Sequence, residues 1–369
     1  MSAILGVPCC AAMQSLYSGV VGWLTWVGAR ADGELIAVGD DAGRLRIWSP
    51  GEGRVVARHE LGSRITRAEW TTDGERLIAI AQDSEQLHVL SGGGSGNDPA
   101  SACATIATRH GSVASLAVHP SRPWAATTGT DGHVRVWDLS REAGAEPVLD
   151  VTEPSAGTCV AMSDKHLAAG FRSGQFVAWD LETGKEIAGG GHFTSYVSAM
   201  AFSADAQSLV IGGGAGGLVE IHPETWRTGE TWRSTPPRPI ATNSIAFGPK
   251  GAFLCAHSDD TASFFQSKRS FPRSLGTAFH LDGKPWQQEY IVSSACFVAT
   301  TQIMITSHFT GRLRIWKKDG MLIKKLAEIG FDENDTPRFY DAPVTDSAIW
   351  WSESSGRTKQ KRRKAAPKT

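Results

Sequence analysis

Short apolar runs recur along the whole chain and are separated by glycine, proline and aspartate. In the first copy, "VVGWLTWV" is followed by "ELIAVGDD" and then by "GRLRIW". Short runs rich in β-branched and small residues, bounded by turn-forming residues, predict strands joined by hairpins. No stretch of the sequence carries the sustained apolar stripe of an amphipathic helix. The pattern therefore predicts an all-β protein.

The three-run pattern repeats seven times. The hexapeptide Gly-Arg-Leu-Arg-Ile-Trp occurs at residues 43–48 and again at 311–316, and five weaker copies lie between them. The last run of each copy ends on an anchor position, occupied in chain order by Trp48, Leu90, Trp137, Trp179, His222, Phe265 and Trp316. Successive anchors lie 42 to 51 residues apart. A period of about 40 to 45 residues is that of four-stranded propeller blades.

These repeats resemble the WD40-repeat family of β-propellers over roughly residues 18 to 328. The dipeptide that names the family stands at Trp137-Asp138 and Trp179-Asp180. The resemblance implies a seven-bladed propeller that acts as a non-catalytic scaffold for protein–protein interactions. In the third copy, the buried polar network of the family falls on His110, Asp131, Thr127 or Thr128, and Trp137. The anchors Trp48, Trp179 and Trp316 are the corresponding blade residues of three other copies.

A blade cannot bury both of its faces alone, so the repeats must close into a ring. Residues 3–17 and the segment 342–351 compete to supply a closing strand. We assign the first as an outer strand of the last blade and the second as an added strand or packed extension. The predicted domains are an N-terminal segment (1–17), the propeller (18–328), a C-terminal extension packed on it (329–352) and a disordered basic tail (353–369).

One glycine cluster matches a nucleotide-binding pattern. Gly212, Gly214 and Gly217 in "IGGGAGGLVEI" have the spacing G-x-G-x-x-G. A dinucleotide loop needs a helix after it, because the N-terminus of that helix holds the pyrophosphate. Residues 218–221 read instead as another strand. We interpret the glycines as the turn between the second and third strands of the fifth repeat, where glycine supplies a positive φ.

Composition adds no sign of catalysis. The chain has 369 residues, a formal net charge of −1 and 41% hydrophobic residues, and its six cysteines include no C-x-x-C pair. It contains no metal-binding histidine motif, no G-x-S-x-G elbow and no Walker loop. We predict no catalytic, cofactor-binding or metal site, and no small-molecule substrate. The first 29 residues are uncharged but too interrupted to span a bilayer, so we predict no membrane partner.

The basic charge is concentrated at the C-terminus. Residues 357–369 hold seven basic residues and no acidic one, whereas the rest of the chain has 30 basic against 38 acidic residues, a net charge of −8. The cluster Lys361, Arg362, Arg363 and Lys364 fits a nuclear-localisation signal, read by an import receptor, or a tail that contacts RNA. The alternative is a solvated end without a receptor.

In the WD40 family the turns between second and third strands gather at one end of the ring. We expect five aspartates of these turns to form an acidic rim that attracts a basic peptide, namely Asp40, Asp41, Asp83, Asp259 and Asp260. The predicted function is a scaffold that binds other proteins of a multi-subunit nuclear or nucleolar complex, in ribosome biogenesis or on chromatin. The alternatives are a cytoplasmic adaptor in trafficking or signalling, and an RNA-associated protein that binds through its tail.

Overall fold

The structure is a computed structural model, and strands account for nearly all of its regular secondary structure. It describes residues 22–92, 104–141, 146–232, 240–258, 261–265, 279–280, 291–298, 303–319 and 322–341. Within these ranges the only helical element is a short 3₁₀ turn at Pro249–Gly251. No helix in the described part of the chain is long and apolar enough to cross a membrane.

The first four blades each consist of four consecutive antiparallel strands. Blade 1 contains β1 (Leu24–Ala29), β2 (Ile36–Asp40), β3 (Arg44–Ser49) and β4 (Arg54–Glu60). Blade 2 contains β5 (Ile65–Trp70), β6 (Arg76–Ala81), β7 (Gln86–Ser91) and β8 (Ala104–Ala107). Blade 3 contains β9 (Val113–Val118), β10 (Trp124–Gly129), β11 (His133–Asp138) and β12 (Leu149–Thr152). Blade 4 contains β13 (Gly157–Met162), β14 (His166–Phe171), β15 (Gln175–Asp180) and β16 (Glu186–Gly191).

The last three blades follow the same order, and the seventh has a fifth strand. Blade 5 contains β17 (Val197–Phe202), β18 (Leu209–Gly213), β19 (Leu218–His222) and β20 (Arg227–Trp232). Blade 6 contains β21 (Thr242–Phe247), β22 (Phe253–His257), β23 (Ala262–Phe265) and β24 (Phe279–His280). Blade 7 contains β25 (Val292–Phe297), β26 (Ile303–His308), β27 (Arg312–Asp319), β28 (Leu322–Phe331) and β29 (Pro337–Asp341). The predicted seven-bladed, all-β fold is confirmed.

Every predicted anchor lies on the third strand of its blade. The anchor tryptophans are buried and pack against the preceding blade, since Trp137 shares a core cluster with Ile78 and Ile80 of blade 2. Trp316 packs in the same way on Leu254 of blade 6. The repeated tryptophan therefore joins neighbouring blades as well as completing its own sheet.

Consecutive antiparallel strands place two kinds of connection at the same end of the ring. The turns between second and third strands lie beside the links from one blade to the next, and we call this the upper end. The turns between first and second strands, and between third and fourth strands, lie at the lower end. The first strands are innermost, and β1, β5, β21 and β25 line a central cavity of about 360 Å³.

Blades 1 and 7 close the ring through side chains. Ser293 Oγ of β25 donates a hydrogen bond to the Leu24 carbonyl of β1 at 2.8 Å. The sheet of blade 7 continues to Asp341, beyond the predicted end of the propeller at residue 328. The two segments predicted to compete for closure, 3–17 and 342–351, lie outside the described residues, so their assignment stays a prediction.

The glycine cluster forms the predicted turn between β18 and β19. Gly216 and Gly217 both have φ of 91°, the left-handed conformation that favours glycine. Gly213 and Gly214 are required for a different reason, because a Cβ atom there would overlap the rings of Phe193 and Tyr196. Two of the five glycines at 212–217 therefore reflect aromatic side chains that pack on the turn.

Candidate functional site

The polar network of blade 3 connects four of the predicted residues. The indole N–H of Trp137 donates to Thr127 Oγ1 at 2.8 Å, and Thr127 Oγ1 lies 2.8 Å from His110 Nε2. His110 Nδ1 lies 2.8 Å from Asp131 Oδ1. Because a carboxylate only accepts, the proton of the neutral imidazole belongs on Nδ1, and the Thr127 hydroxyl donates to Nε2. The hydroxyl of this network is Thr127 rather than Thr128.

Charge surrounds the outer end of this network. Arg135 Nη1 donates to Asp131 Oδ2 at 2.7 Å, and its Nε reaches Asp150 at 3.1 Å. Burial lowers the pKa of His110 below its usual value, despite the attraction of Asp131. Burial opposes ionisation of Asp131, but hydrogen bonds from His110 and Arg135 outweigh it and lower the pKa of this carboxyl. Asp131 is therefore an ionised structural group of blade 3.

The other anchor tryptophans have different surroundings. In blade 7, Trp316 Nε1 donates to Thr306 Oγ1 at 3.0 Å, and Thr306 lies 2.8 Å from His308 Nε2. This histidine comes from the end of a second strand, whereas His110 comes from the link between blades. Trp48 packs edge-on against Phe331 with 6.1 Å between ring centroids. Trp179 is buried in an apolar cluster that blades 3 and 4 share.

Asp40 does not belong to an exposed rim. Its side chain is 0% exposed, and one oxygen accepts from Arg44 Nε at 2.8 Å and from Arg46 Nη1 at 2.9 Å. The other oxygen accepts the backbone N–H groups of residues 42 and 44. The prediction that Asp40 faces a partner is therefore corrected, because both oxygens of its carboxylate already accept hydrogen bonds from its own turn and from arginine side chains.

The remaining rim aspartates differ in accessibility. Asp41 is half-buried and accepts the Trp23 backbone N–H at 2.8 Å. Asp83 is exposed at the tip of its turn, with φ of 56°. Asp259 and Asp260 lie outside the described residues. The upper end also carries exposed arginines, among them Arg109 and Arg172, so its described surface has mixed charge rather than uniform acidity.

Aromatic side chains on the glycine turn form a surface that the sequence did not single out. We call Phe193, Tyr196, Gly213 and Gly214 the aromatic–glycine patch. Tyr196 is 41% exposed, among the highest values for a large hydrophobic residue in the described part of the chain. Both aromatic residues come from the link between blades 4 and 5, and close packing on the glycines fixes their rings. In the sequence, the only hint of this patch was the presence of more glycines than the turn itself needs.

No group of three or more metal-ligating side chains occurs among the described residues. Three cysteines are described, Cys159, Cys255 and Cys296, and all are buried and free. Burial raises the pKa of the Cys159 and Cys296 thiols to about 12. These thiols are therefore packing groups of the core rather than nucleophiles.

Comparison with known proteins agrees with this geometry. A family model described as "WD domain, G-beta repeat" matches residues 102–138, the segment that contains the blade 3 network. This match and the seven-bladed ring together support a WD40-repeat propeller family. The match covers the best-formed repeat of this WD40 propeller, and the seven sheets supply the remaining copies.

The relatives of this WD40 propeller differ in how much of the chain they match. The ribosome biogenesis protein erb1 of Aspergillus clavatus is 40% identical over 80 residues, which are 21% of this chain and 9% of that protein. The match with the erb1 protein of Aspergillus niger, at 39% identity, also spans 9% of its length. The Drosophila melanogaster protein LST8 homolog is 21% identical over 291 residues, 77% of this chain and 76% of that protein.

Proposed function

We propose that this WD40 propeller is a non-catalytic scaffold for protein partners in a nuclear or nucleolar complex that acts in ribosome biogenesis. The observation that carries the scaffold role is the aromatic–glycine patch. It exposes Tyr196 at the upper end of a closed ring, where the fold gains little from an aromatic side chain. The ribosome-biogenesis context rests on the similarity to the erb1 proteins.

The aromatic–glycine patch has the properties of a binding hot spot. Tyrosine is enriched at such sites because it offers a large contact area with few rotatable bonds and a hydroxyl that bonds at the rim. The packing of Phe193 and Tyr196 on Gly213 and Gly214 holds the rings in place before a partner arrives. A preordered side chain loses less entropy on binding, so each contact contributes more to affinity.

Charged side chains near the aromatic–glycine patch would help to attract and orient a partner. Arg172 is exposed on the neighbouring turn of blade 4, and Asp83 is exposed on that of blade 2. Charges at the rim of an interface mainly affect association rate and salt dependence. Asp41, Asp83, Asp259 and Asp260 remain our proposed contributors to partner attraction.

Tyr196→Ala should reduce recovery of the main partners without unfolding the ring. We expect a loss of affinity of about tenfold, which corresponds to about 1.4 kcal/mol. The measurement is quantitative mass spectrometry of proteins copurified with the tagged full chain. Tyr340→Ala is the matched control, since Tyr340 is 42% exposed and lies on the outermost strand of blade 7.

Three results would contradict the proposal. Equal recovery by Tyr196→Ala and wild type would exclude the aromatic–glycine patch as the partner surface. Partners from chromatin complexes, in place of ribosome-assembly factors, would replace the proposed pathway by the chromatin alternative. Recovery that disappears on RNase treatment would favour an RNA-associated role through the tail.

The cluster Lys361, Arg362, Arg363 and Lys364 is proposed as the nuclear-localisation signal. Replacing all four residues by alanine should move a fluorescently tagged chain from nucleus to cytoplasm, because an import receptor reads the basic side chains. Circular dichroism should be unchanged, since the cluster lies far along the chain from the last described strand. The control exchanges each Lys for Arg and each Arg for Lys, which keeps the positive charge of the cluster.

The second candidate function is a cytoplasmic adaptor. The alignment with the LST8 homolog extends over 77% of this chain, whereas the erb1 match covers 21%, so the longer alignment supports a scaffold without pointing to ribosome biogenesis. A wild-type chain that stays in the cytoplasm would support this alternative and contradict the nuclear proposal.

A further inference from the structure

A cleft opens at the lower end of the ring, between blades 5 and 6. Its volume is about 900 Å³. One wall consists of the β17–β18 and β19–β20 turns and strand β20, and the other consists of the turn at 248–251 and strand β22. The cleft is therefore separate from the aromatic–glycine patch, which lies at the opposite end of the ring.

The cleft lies beside the degenerate anchor of blade 6. In blades 3 and 7 an indole fills the space against the preceding blade, as Trp137 does beside Ile78 and Trp316 beside Leu254. Blade 6 has Phe265 at the anchor position, and its smaller ring packs on Val210 of blade 5. Phe265 is also one of the residues that line the cleft.

The floor of the cleft is aromatic. Phe253 stacks on Phe265 with 4.5 Å between ring centroids. Trp232 meets Phe253 at 5.5 Å, and Phe247 meets it at 5.5 Å from the other side. Phe253 and Phe265 are each 5% exposed, whereas Trp232 and Phe247 are half-buried, so the exposed part of this apolar floor comes mainly from Trp232 and Phe247.

The walls of the cleft are acidic. Among the described lining residues, four carboxylates stand against a single cationic side chain, Lys250, and they are Asp205, Glu220, Glu224 and Glu230. Glu220 occupies the strand position that holds arginine in blades 1, 3 and 7, and Ser208 Oγ donates to it at 2.6 Å. Glu224 is exposed on the β19–β20 turn. The excess of negative charge attracts cations.

We propose that this cleft binds a short basic peptide segment of a partner protein. An apolar side chain of the segment lies on the aromatic floor, and flanking lysine or arginine side chains face the carboxylates of the walls. Guanidinium groups fit this site well, because they pair with carboxylates and also stack on aromatic rings. The proposal does not depend on the function assigned to the upper end.

The first test uses a short synthetic peptide rich in lysine and arginine around a central leucine, labelled with fluorescein, and the full chain. Anisotropy should report saturable binding that weakens as salt is raised. Glu224→Arg should weaken binding about fivefold, the upper range for one exposed charge pair. Glu182→Arg is the matched control, since Glu182 is exposed on the corresponding turn of blade 4 and should bind as wild type does.

The second test fills the cleft. Phe265→Trp restores the anchor found in blades 1, 3, 4 and 7, and it should reduce peptide affinity by about tenfold or more while the ring stays folded. Thermal unfolding of the same variant checks that the ring is intact. If the indole of Phe265→Trp disturbs the core, Glu224→Arg still tests whether the peptide binds in the cleft, because Glu224 lies on an exposed turn.

Three outcomes would overturn the proposal. Equal weakening by Glu224→Arg and Glu182→Arg would assign binding to net charge instead of the cleft. Unchanged binding by a folded Phe265→Trp variant would place the peptide elsewhere. Binding that appears only after deletion of residues 357–369 would make the basic tail of this chain the occupant.

Discussion

Trp137→Ala should lower the free energy of unfolding by about 3 to 5 kcal/mol, the cost of truncating a large aromatic residue in a core. The side chain is 3% exposed and lies between blades 2 and 3. Its loss removes apolar contacts on both blades and leaves a cavity that β-strands cannot easily close. The hydroxyl of Thr127 also loses the donor that holds it towards His110.

Urea denaturation of the purified chain, followed by tryptophan fluorescence and circular dichroism, measures this loss. Trp124→Ala is the control within the same blade, because Trp124 is half-buried and should cost less. Thr127→Val separates packing from hydrogen bonding, since it keeps the shape but leaves two buried polar groups unpaired, at about 1 to 3 kcal/mol. A melting temperature of Trp137→Ala within a degree of wild type would contradict the role of this anchor.

The sequence carried enough information for the fold because the repeats share one physical requirement. Each blade needs at least four short strands, a glycine or aspartate turn and a bulky third-strand anchor, and that pattern survives in copies as weak as those at His222 and Phe265. A fixed period then determines the number of blades. Neither conclusion depends on knowing the contacts of a single side chain.

The surfaces were harder to predict, because they depend on contacts between distant residues. Asp40 looked like an exposed turn residue, but Arg46 on the next strand reaches it and removes it from the surface. An arginine two positions before the anchor recurs in blades 1, 3 and 7, and it could have indicated such pairs. The aromatic–glycine patch joins residues of blades 4 and 5, which no local pattern links.

The ion pairs between blades 7 and 1 are also contacts between residues far apart in sequence. Asp335, in the turn between β28 and β29, forms ion pairs with Arg46 and Arg58 of blade 1. The backbone carbonyl of Asn334 also accepts from Arg58 Nη2 at 2.9 Å. Residues 289 positions apart in sequence form this closure, so repeat periodicity does not reveal it.

Asp335→Ala should therefore destabilise the ring where its two ends meet. Arg46 is 1% exposed, and without Asp335 its remaining ionic partner among the described residues is Asp40. We expect a loss of about 1.5 to 3 kcal/mol, the range for hydrogen bonds to charged groups, because the buried guanidinium is left partly unsatisfied. Arg46→Met in the same background should recover part of the loss, since it removes the partly unsatisfied guanidinium and keeps an apolar stem, while Arg44 still pairs with Asp40.

Hydrogen exchange read by mass spectrometry locates this loss in the ring. Protection should fall first in β1 and in β25 to β29, where blades 1 and 7 meet, while blades 3 and 4 keep wild-type protection. Glu146→Ala is the control, because Glu146 pairs with Arg109 on an exposed surface and salt screens such pairs. Uniform deprotection of all seven blades, or none, would show that the ion pairs of Asp335 do not hold the ring closed.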